Sequence, residues 1–208
     1  MPTTTFFNLP EEKKKRVINA AVDEFAQNGY TKSSITRMVN KAEIAKGSFY
    51  QYFEDKEDLY RHILKKAVEK KFKYVQKELN DYEGDDFFEY WRRLNIAGLK
   101  YAEDNIKLAE VASDIVKNKD QKFYRSIIDE YKNLGEGMFE RLLKKAVEAG
   151  QVRKDINITY TAGLLYRASF FITDYFFEKK DIKQLDEFIP LIDNLIEIIQ
   201  YGIKKEGG

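Results

Sequence analysis

The side chains best suited to chemistry in this chain lie in one short segment, residues 44–60, which reads IAKGSFYQYFEDKEDLY. The segment combines two lysines, a serine, a glutamine and three tyrosines with phenylalanines and a group of acids. Lysine and serine side chains bind phosphates or base edges, and a tyrosine ring can pack on a protein while its hydroxyl reaches outward. The segment is therefore suited to contact with nucleic acid.

Enzymatic and metal chemistry have little support elsewhere in the 208 residues. The chain has no cysteine, which excludes thiol nucleophiles, disulfides and thiolate metal sites, and His62 is its only histidine, which excludes an imidazole zinc cluster. No carboxylate pair lies on an apolar stripe, and no phosphate-binding glycine loop occurs. We expect a protein that is not an enzyme and uses no cofactor or metal.

The composition predicts an all-helical fold. Hydrophobic residues make up 43% and aromatic residues 14% of the chain, which is enough apolar surface to exclude disorder. There are only 3 Pro and 11 Gly, and apolar residues recur every three to four positions. The amino terminus lacks the apolar segment of a signal peptide, so we expect a cytoplasmic protein.

The most apolar stretch, residues 158–177, is long enough to span a bilayer. Arg167 and Asp174 would each cost about 2.5 to 3.5 kcal/mol near its centre. A buried helix is the better interpretation, and we expect no membrane partner.

Charge is distributed unevenly along the chain, although the net charge is only +1. Residues 1–53 carry eight Lys or Arg against five acids, whereas the remainder has an excess of acids. A basic amino-terminal part on a mildly acidic body favours a polyanion partner at one end. The lysine-rich run at residues 66–73 is interpreted as a solvated helix face.

Three helices are predicted to position the segment at residues 44–60. The first ends at Gly29, because glycine readily takes the left-handed conformation that closes a helix. Ser33 or Ser34 caps the second, and the third runs from about residue 45 to residue 53, after a break at 42–44. Two helices of about eight residues separated by a short turn are the layout of a helix-turn-helix.

The third of these helices is predicted to bury Phe49 and Phe53 against the other two. The side chains expected to project away from that core are Lys46, Ser48, Tyr50, Gln51 and Tyr52. Gly47 lets the helix backbone come close to a neighbouring molecule.

Asp55 is predicted to cap a fourth helix, whose first turn contains Lys56 as its single cation. A cation at the amino-terminal end of a helix costs a little stability. This cost suggests that Lys56 is kept to hold a phosphate.

Residues 16–60 resemble the amino-terminal domain of the TetR/AcrR family of bacterial transcriptional repressors. The resemblance rests on the run AAVDEFAQNGYTKSSITRMVNKAEIAKGSFYQYFEDKEDLY, especially KGSFYQYF followed by DKEDL. It implies a three-helix helix-turn-helix domain, residues 1–54, joined to a larger helical effector-binding and dimerisation domain, residues 55–208. It also implies a homodimer that binds a palindromic operator in double-stranded DNA and is released by a small effector.

The same resemblance implies which residues contact DNA. Thr36 and Arg37 match the family's backbone and base contacts, and Lys56 matches its phosphate anchor. The predicted DNA-binding residues are Thr36, Arg37, Lys46, Gly47, Ser48, Tyr50, Gln51, Tyr52 and Lys56.

Glu43 departs from the family, which commonly has glycine at this position of the turn. It either accepts a positive φ at a cost of roughly 1 kcal/mol or shifts the turn. Its carboxylate either weakens DNA binding or accepts a hydrogen bond from a cytosine amino group. Glu43 is also the best support for an alternative function, a helical small-molecule-binding protein or enzyme whose DNA module is vestigial.

Two apolar segments near the carboxy terminus predict dimerisation. Residues 159–177 are apolar nearly all round, and residues 184–203 carry more than one apolar stripe. Two adjacent helices of this kind favour a two-fold four-helix interface with a second copy of the chain.

Aromatic residues in the same region are candidates for an effector site. The candidate ligand-binding residues are Trp91, Asn95, Tyr131, Tyr166 and Phe170. Asn95 lies on an apolar helix face and is either a satisfied core amide or a ligand group. A pocket here would take a small, largely apolar effector, with Asn95 or Arg167 fixing its polar end. The same residues are also compatible with a solid core, in a DNA-binding regulator that has no effector.

Overall fold

The structure, a computed structural model, describes residues 1–80, 86–118, 122–178 and 185–203. In these ranges the regular elements are ten α-helices and one 3-10 turn at Leu185–Glu187. The helices are α1 (Thr4–Phe7), α2 (Glu11–Lys32), α3 (Ile35–Lys41), α4 (Lys46–Tyr52), α5 (Lys56–Asn80), α6 (Phe87–Asp104), α7 (Ile106–Lys117), α8 (Lys122–Glu148), α9 (Ile158–Glu178) and α10 (Ile189–Ile203). The predicted all-helical fold is confirmed.

The chain forms two compact units. Unit 1 comprises residues 1–70 and 105–118, so it contains α1 to α4, the first part of α5, and α7. Unit 2 comprises residues 71–104 and 119–208, with the rest of α5, α6, α8, α9 and α10. The chain therefore leaves unit 1, contributes α6 to unit 2, and returns to unit 1 as α7.

Aromatic side chains form much of the core of unit 1. The rings of Phe25 and Tyr60 meet edge to face with centroids 4.9 Å apart, and Tyr30 lies 5.1 Å from Tyr60. The hydroxyl of Tyr60 donates a 3.0 Å hydrogen bond to the carbonyl of Val111, which satisfies the polar end of a fully buried ring. This core joins α2, α5 and α7.

The helix starts in unit 1 follow the predicted caps. The hydroxyl of Ser34 accepts a 3.4 Å hydrogen bond from the backbone N–H of Arg37 and so begins α3. The carboxylate of Asp55 accepts a 2.8 Å hydrogen bond from the N–H of Asp58 at the start of α5. Sequence patterns do not predict α1, a single turn capped by Thr3.

Gly29 interrupts α2 with φ 63°, close to its predicted end. A methyl group on its Cα would stand 2.9 Å from the Oδ1 atom of Asp114 on α7, so both the backbone conformation and the close approach require glycine. The other carboxylate oxygen of Asp114 accepts a 3.1 Å hydrogen bond from the N–H of Tyr30. The break in α2 is therefore also the point at which α7 is attached. In unit 2, Gly150 with φ 74° closes α8.

Unit 2 has its own apolar core, which includes Trp91 of α6. Trp91 is completely buried, and its Nε1 donates a 3.0 Å hydrogen bond to the hydroxyl of Ser169 on α9. Leu99, Leu143 and Leu165 are buried in the same core, which thus draws on α6, α8 and α9.

The two apolar helices of unit 2 keep part of their apolar surface exposed. The large exposed side chains include a stripe at helical spacing on each helix: Tyr160, Leu164 and Phe171 on α9, and Leu191, Ile198 and Tyr201 on α10. Within the described helices, no stretch has the length and hydropathy needed to cross a membrane.

Candidate nucleic-acid interface

The turn between α3 and α4 is closed by Glu43, which has φ 54°. The N–H of Glu43 donates to the carbonyl of Asn40 at 3.2 Å, and the N–H of Ile44 donates to the carbonyl of Val39 at 3.0 Å. This pair of hydrogen bonds is the Schellman motif, which usually has glycine at the left-handed position. Of the two predicted outcomes, Glu43 therefore accepts the positive φ.

The carboxylate of Glu43 has a countercharge. Its Oε2 lies 3.3 Å from Nη1 of Arg16 on α2, and both side chains are exposed. An exposed pair of this kind adds little stability, but it offsets the negative charge that Glu43 brings to this surface.

The residues of α4 divide into an exposed and a buried face. The exposed side is formed by Lys46, Gly47, Tyr50 and Gln51, with Ser48 half-buried beside it. Lys46 makes no hydrogen bond or ion pair with any residue that the structure describes, so its ammonium is available to a phosphate. On α3, Thr36 and Arg37 are exposed as well.

The prediction that Tyr52 projects outward is wrong. Its side chain is only 3% exposed, and its ring centroid lies 6.2 Å from that of Phe6 on α1. Phe49, Tyr52 and Phe53 follow i, i+3, i+4 spacing, which places Tyr52 on the buried face of α4. The covering turn α1 is an element that sequence patterns do not predict.

The approach to α1 also fixes the carboxy-terminal end of α4. The N–H of Thr3 donates to the carbonyl of Tyr52 at 2.9 Å, and its hydroxyl donates to the carbonyl of Gln51 at 2.6 Å. Carbonyls in the last turn of a helix lack partners within the helix, so these bonds hold the backbone of Gln51 in place.

Gly47 leaves the front of α4 open. A methyl group on its Cα would meet no protein atom within 4 Å. Glycine in a helix interior costs roughly 0.5 to 1 kcal/mol relative to alanine, and nothing inside the fold requires it here. Gly47 therefore leaves the backbone of α4 accessible near the start of the helix.

Arg37 is committed to an internal cluster. Its Nε donates to the carboxylate of Glu24 at 2.9 Å, and its Nη2 donates to the carbonyl of Lys32 at 2.8 Å. Glu24 also accepts a 3.0 Å hydrogen bond from the N–H of Ser34. Burial alone would raise the pKa of Glu24, but the hydrogen bonds from Arg37 and Ser34 and the charge of Arg37 hold the pKa below its ordinary value. The cluster fixes α3 on α2.

Lys56 is likewise used inside the protein. Its ammonium donates to the carbonyls of Tyr30 at 2.7 Å and Ser33 at 3.1 Å, and it lies 4.5 Å from the centroid of the Tyr30 ring. Burial lowers the pKa of Lys56, while the charge of Glu24 acts in the opposite direction. Lys56 thus holds the link between α2 and α3 against the start of α5.

The predicted effector residues fall in unit 2, and the side chain of Tyr131 lies outside the described residues. Trp91 and Asn95 are buried, Tyr166 is half-buried, and Phe170 is 38% exposed. The rings of Tyr166 and Phe170 are 4.9 Å apart, and burial raises the pKa of Tyr166 to about 12.

Of the two polar groups expected to fix an effector, only Asn95 is buried. Arg167 is exposed, and its Nη1 lies 3.3 Å from a carboxylate oxygen of Glu136. Sequence reasoning missed Lys71, which lies on α5 within the supposedly solvated run and has its ammonium 5.5 Å from the Phe170 ring centroid.

Groups suited to metal binding or acid–base chemistry are sparse in the described part of the chain. No group of three His, Cys, Asp or Glu residues there has the arrangement of a metal site. The ring of His62 packs between Phe6, Phe7 and Phe53. Burial lowers the pKa of His62 to about 4, so this side chain is neutral at pH 7.

Known proteins resemble this chain at two levels. Residues 17–63 match the family model described as "Bacterial regulatory proteins, tetR family". The chain is 21% identical over 172 residues to the Fatty acid metabolism regulator protein of Bacillus subtilis (strain 168), across 74% of this chain and 78% of that protein.

Two solved structures extend the likeness to the whole fold. A TetR family transcriptional regulator from Chloroflexus aurantiacus J-10-FL gives a TM-score of 0.80 at 29% identity, over 99% of this chain and 100% of the other. The transcriptional regulator FadR from Bacillus subtilis, solved in complex with stearoyl-CoA, gives a TM-score of 0.72 at 18% identity over 91% and 98% of the two chains.

The family match covers α2 to α4 and the start of α5, the elements that form the helix-turn-helix and carry its exposed face. The remaining helices follow the fold of whole TetR regulators. Residues 17–63 therefore form a helix-turn-helix domain of the TetR type, and the chain as a whole has the fold of TetR family transcriptional regulators.

Proposed function

We propose that the protein is a ligand-released repressor that binds a palindromic operator as a homodimer. The observation that carries this proposal is the exposed face of α4, where Lys46, Gly47, Tyr50 and Gln51 stand free at the end of a well-packed helix-turn-helix. A helix of this kind enters the major groove with its amino-terminal residues against the bases. Two such helices about 34 to 36 Å apart reach successive turns of B-DNA.

The predicted DNA-binding residues are given two different roles in this proposal. Direct contacts are assigned to the exposed and half-buried members, which are Thr36, Lys46, Gly47, Ser48, Tyr50 and Gln51. Arg37, Tyr52 and Lys56 act by positioning α3 and α4, because their polar or aromatic groups are occupied within the protein. Residues 1–54 are the DNA-reading part, and residues 55–208 are the effector-binding and dimerisation part.

The exposed apolar stripes of α9 and α10 are assigned to the dimer interface. Three large apolar side chains in each stripe remain in contact with water in the single chain, among them Phe171 at 63% and Ile198 at 64% exposed. Contiguous apolar surface of this kind is typical of sites that another protein covers. A two-fold pairing of both helices would bury all six side chains at once.

The effector is assigned to the class of small amphiphiles with a long acyl chain. Two observations support this assignment: the aromatic core of unit 2, and the similarity to a regulator of fatty acid metabolism and to a fold solved with stearoyl-CoA. Bound effector lowers DNA affinity by no more than its preference for the DNA-incompetent state. A protein that reads chromosomal DNA acts in the cytoplasm.

The experiment is fluorescence anisotropy with the DNA upstream of the protein's own gene, repeated in the presence of palmitoyl-CoA or palmitate. We expect two protomers per palindrome, steep salt dependence, and release by at least one of the two amphiphiles. The variant Phe171→Glu tests the role of the dimer. It should be monomeric and should bind the operator at least tenfold more weakly than the wild type. If the wild-type protein binds no DNA of this kind, the vestigial-module alternative is favoured.

A further inference from the structure

Lys71 turns its ammonium toward α6 and α9 inside unit 2. A methyl group built on Gly98 of α6 would stand 3.6 Å from the Cε atom of Lys71 and 3.8 Å from its Nζ. The same Nζ lies 5.5 Å from the centroid of the Phe170 ring on α9. The lysine side chain therefore crosses the surface of α6 where glycine leaves room for it, and its charge lies against an aromatic face.

The ammonium of Lys71 has no oxygen partner among the residues that the structure describes. Burial lowers the pKa of Lys71, and no carboxylate among the described residues counteracts this effect. Lys100 in the same unit differs in this respect, because its Nζ lies 2.8 Å from a carboxylate oxygen of Glu78. A cation–π contact compensates only part of the lost hydration, so Lys71 retains the capacity to bind an anion.

Asn95 presents a second unused polar group on the same face of α6. It lies three residues before Gly98, which places both positions on one side of the helix. Its side chain is 5% exposed, and its Nδ2 donates a 2.8 Å hydrogen bond to the carbonyl of Trp91. Its Oδ1 is buried and has no hydrogen-bond partner within the described residues. The bond to the Trp91 carbonyl uses one of the two hydrogens of the NH2 group, so the second hydrogen can be donated to an anion.

The surroundings of these two groups suit an apolar chain. Tyr166 lies against α8 so closely that a methyl group on Gly135 would overlap its ring, and Trp91 and Phe139 are buried in the same core. Phe170, whose ring faces the ammonium of Lys71, is 38% exposed, so this group of residues reaches solvent at Phe170. One cation, one amide and an aromatic lining match an amphiphile with a single negative charge on its head.

We propose that Lys71 and Asn95 bind the carboxylate head group of the effector, whose apolar chain lies among the aromatic side chains of unit 2. This inference rests on the proposed ligand-released function and narrows its effector to a free long-chain carboxylic acid. A single ammonium balances the single charge of a carboxylate. A coenzyme A thioester has no charge at the corresponding carbonyl and would leave Lys71 without a counterion.

The test compares three probes of one chain length: palmitate, hexadecanol and palmitoyl-CoA. Binding is followed by the fluorescence of Trp91, the single tryptophan of the chain, which lies on the same helix as Asn95. We expect wild-type protein to bind palmitate at least tenfold more tightly than hexadecanol. Lys71→Met should remove this preference and leave hexadecanol binding unchanged, with Lys71→Gln as a second neutral variant should Lys71→Met misfold.

Lys73→Met is the matched control, because Lys73 is an exposed lysine on the same helix. It should keep the wild-type preference for palmitate. The inference is overturned if Lys71→Met weakens palmitate binding no more than Lys73→Met does, or if hexadecanol binds the wild type as tightly as palmitate. Release of DNA by palmitoyl-CoA alone would overturn it while the proposed function stands, whereas no response to any of the three probes would overturn both.

Discussion

Glu24 in unit 1 and Lys71 in unit 2 are charged groups drawn away from water, and their surroundings differ in one decisive respect. The carboxylate of Glu24 accepts hydrogen bonds from Arg37 and Ser34, so its charge is fully used to hold α3 on α2. The ammonium of Lys71 lies against Gly98 and the ring of Phe170, with no oxygen partner among the described residues. An internal charge with partners in the protein stabilises the fold, whereas the unpaired ammonium of Lys71 is where we propose that a ligand binds.

The largest effect is expected from Glu24→Ala. The change leaves the N–H of Ser34 and the guanidinium of Arg37 without their acceptor and should lower the free energy of unfolding by about 1 to 3 kcal/mol. Urea denaturation measures it. Glu12→Ala is the control, since its ion pair with Lys15 is exposed and its loss should cost less than about 0.5 kcal/mol. Equal effects of the two changes would show that the Glu24 cluster is not structural.

Lys56 and Lys46 allow the same comparison within unit 1, between a charge that is hydrogen-bonded inside the protein and one that is not. Lys56→Ala removes two hydrogen bonds to backbone carbonyls and should lower the free energy of unfolding by about 1 to 2 kcal/mol. Lys46→Ala should leave stability unchanged and reduce the salt dependence of DNA binding by about one unit per protomer. Denaturation measures the loss of stability in Lys56→Ala, and anisotropy titrations at several salt concentrations measure the change in DNA binding in Lys46→Ala. The reverse result would restore Lys56 as the phosphate anchor.

Lys71→Met should have the opposite sign from Glu24→Ala. Methionine keeps the apolar stem and removes a charge without a partner, so the free energy of unfolding without effector should rise by up to about 1 kcal/mol. Thermal unfolding against Lys73→Met checks it. If Lys71→Met lowers the free energy of unfolding, the ammonium of Lys71 already has stabilising interactions within the protein, and Lys71 does not differ from Glu24 in this respect.

A modest gain in stability is expected for Gly47→Ala. The added methyl group meets no protein atom, and alanine favours the helix, so the free energy of unfolding should rise by about 0.5 to 1 kcal/mol. The same methyl group would stand between α4 and DNA and should weaken operator binding. Paired denaturation and anisotropy measurements test both effects. Unchanged DNA affinity would exclude a close approach at Gly47.

Local sequence signals predicted the elements of this molecule well. Ser34 and Asp55 cap helices as expected, and Glu43 keeps the turn by accepting a positive φ. These features depend on a few neighbouring residues, whose conformational preferences are visible in the sequence.

Contacts between residues that are distant in the sequence could not be predicted in the same way. The pairing of Arg37 with Glu24 follows from how α3 packs on α2, which no local pattern specifies. The burial of Tyr52 could have been predicted, because Tyr52 lies at helical spacing from Phe49 and Phe53. The inward position of Lys71 could also have been predicted, because it continues the buried stripe of Leu64 and Ala67 along α5. Its charge led instead to the prediction of a solvent-exposed side chain.

The return of the chain to unit 1 as α7 has a practical consequence for protein engineering. The carboxylate of Asp114 accepts a hydrogen bond from the N–H of Tyr30, and the carbonyl of Val111 accepts one from the hydroxyl of Tyr60. Both acceptors come from α7, which follows α6 in the chain. A fragment cut after residue 54 or residue 70 would lack both acceptors, and a chimera that exchanges only the amino-terminal helices would mismatch them. Grafting this operator specificity onto another regulator thus requires two pieces of chain, transplanted together.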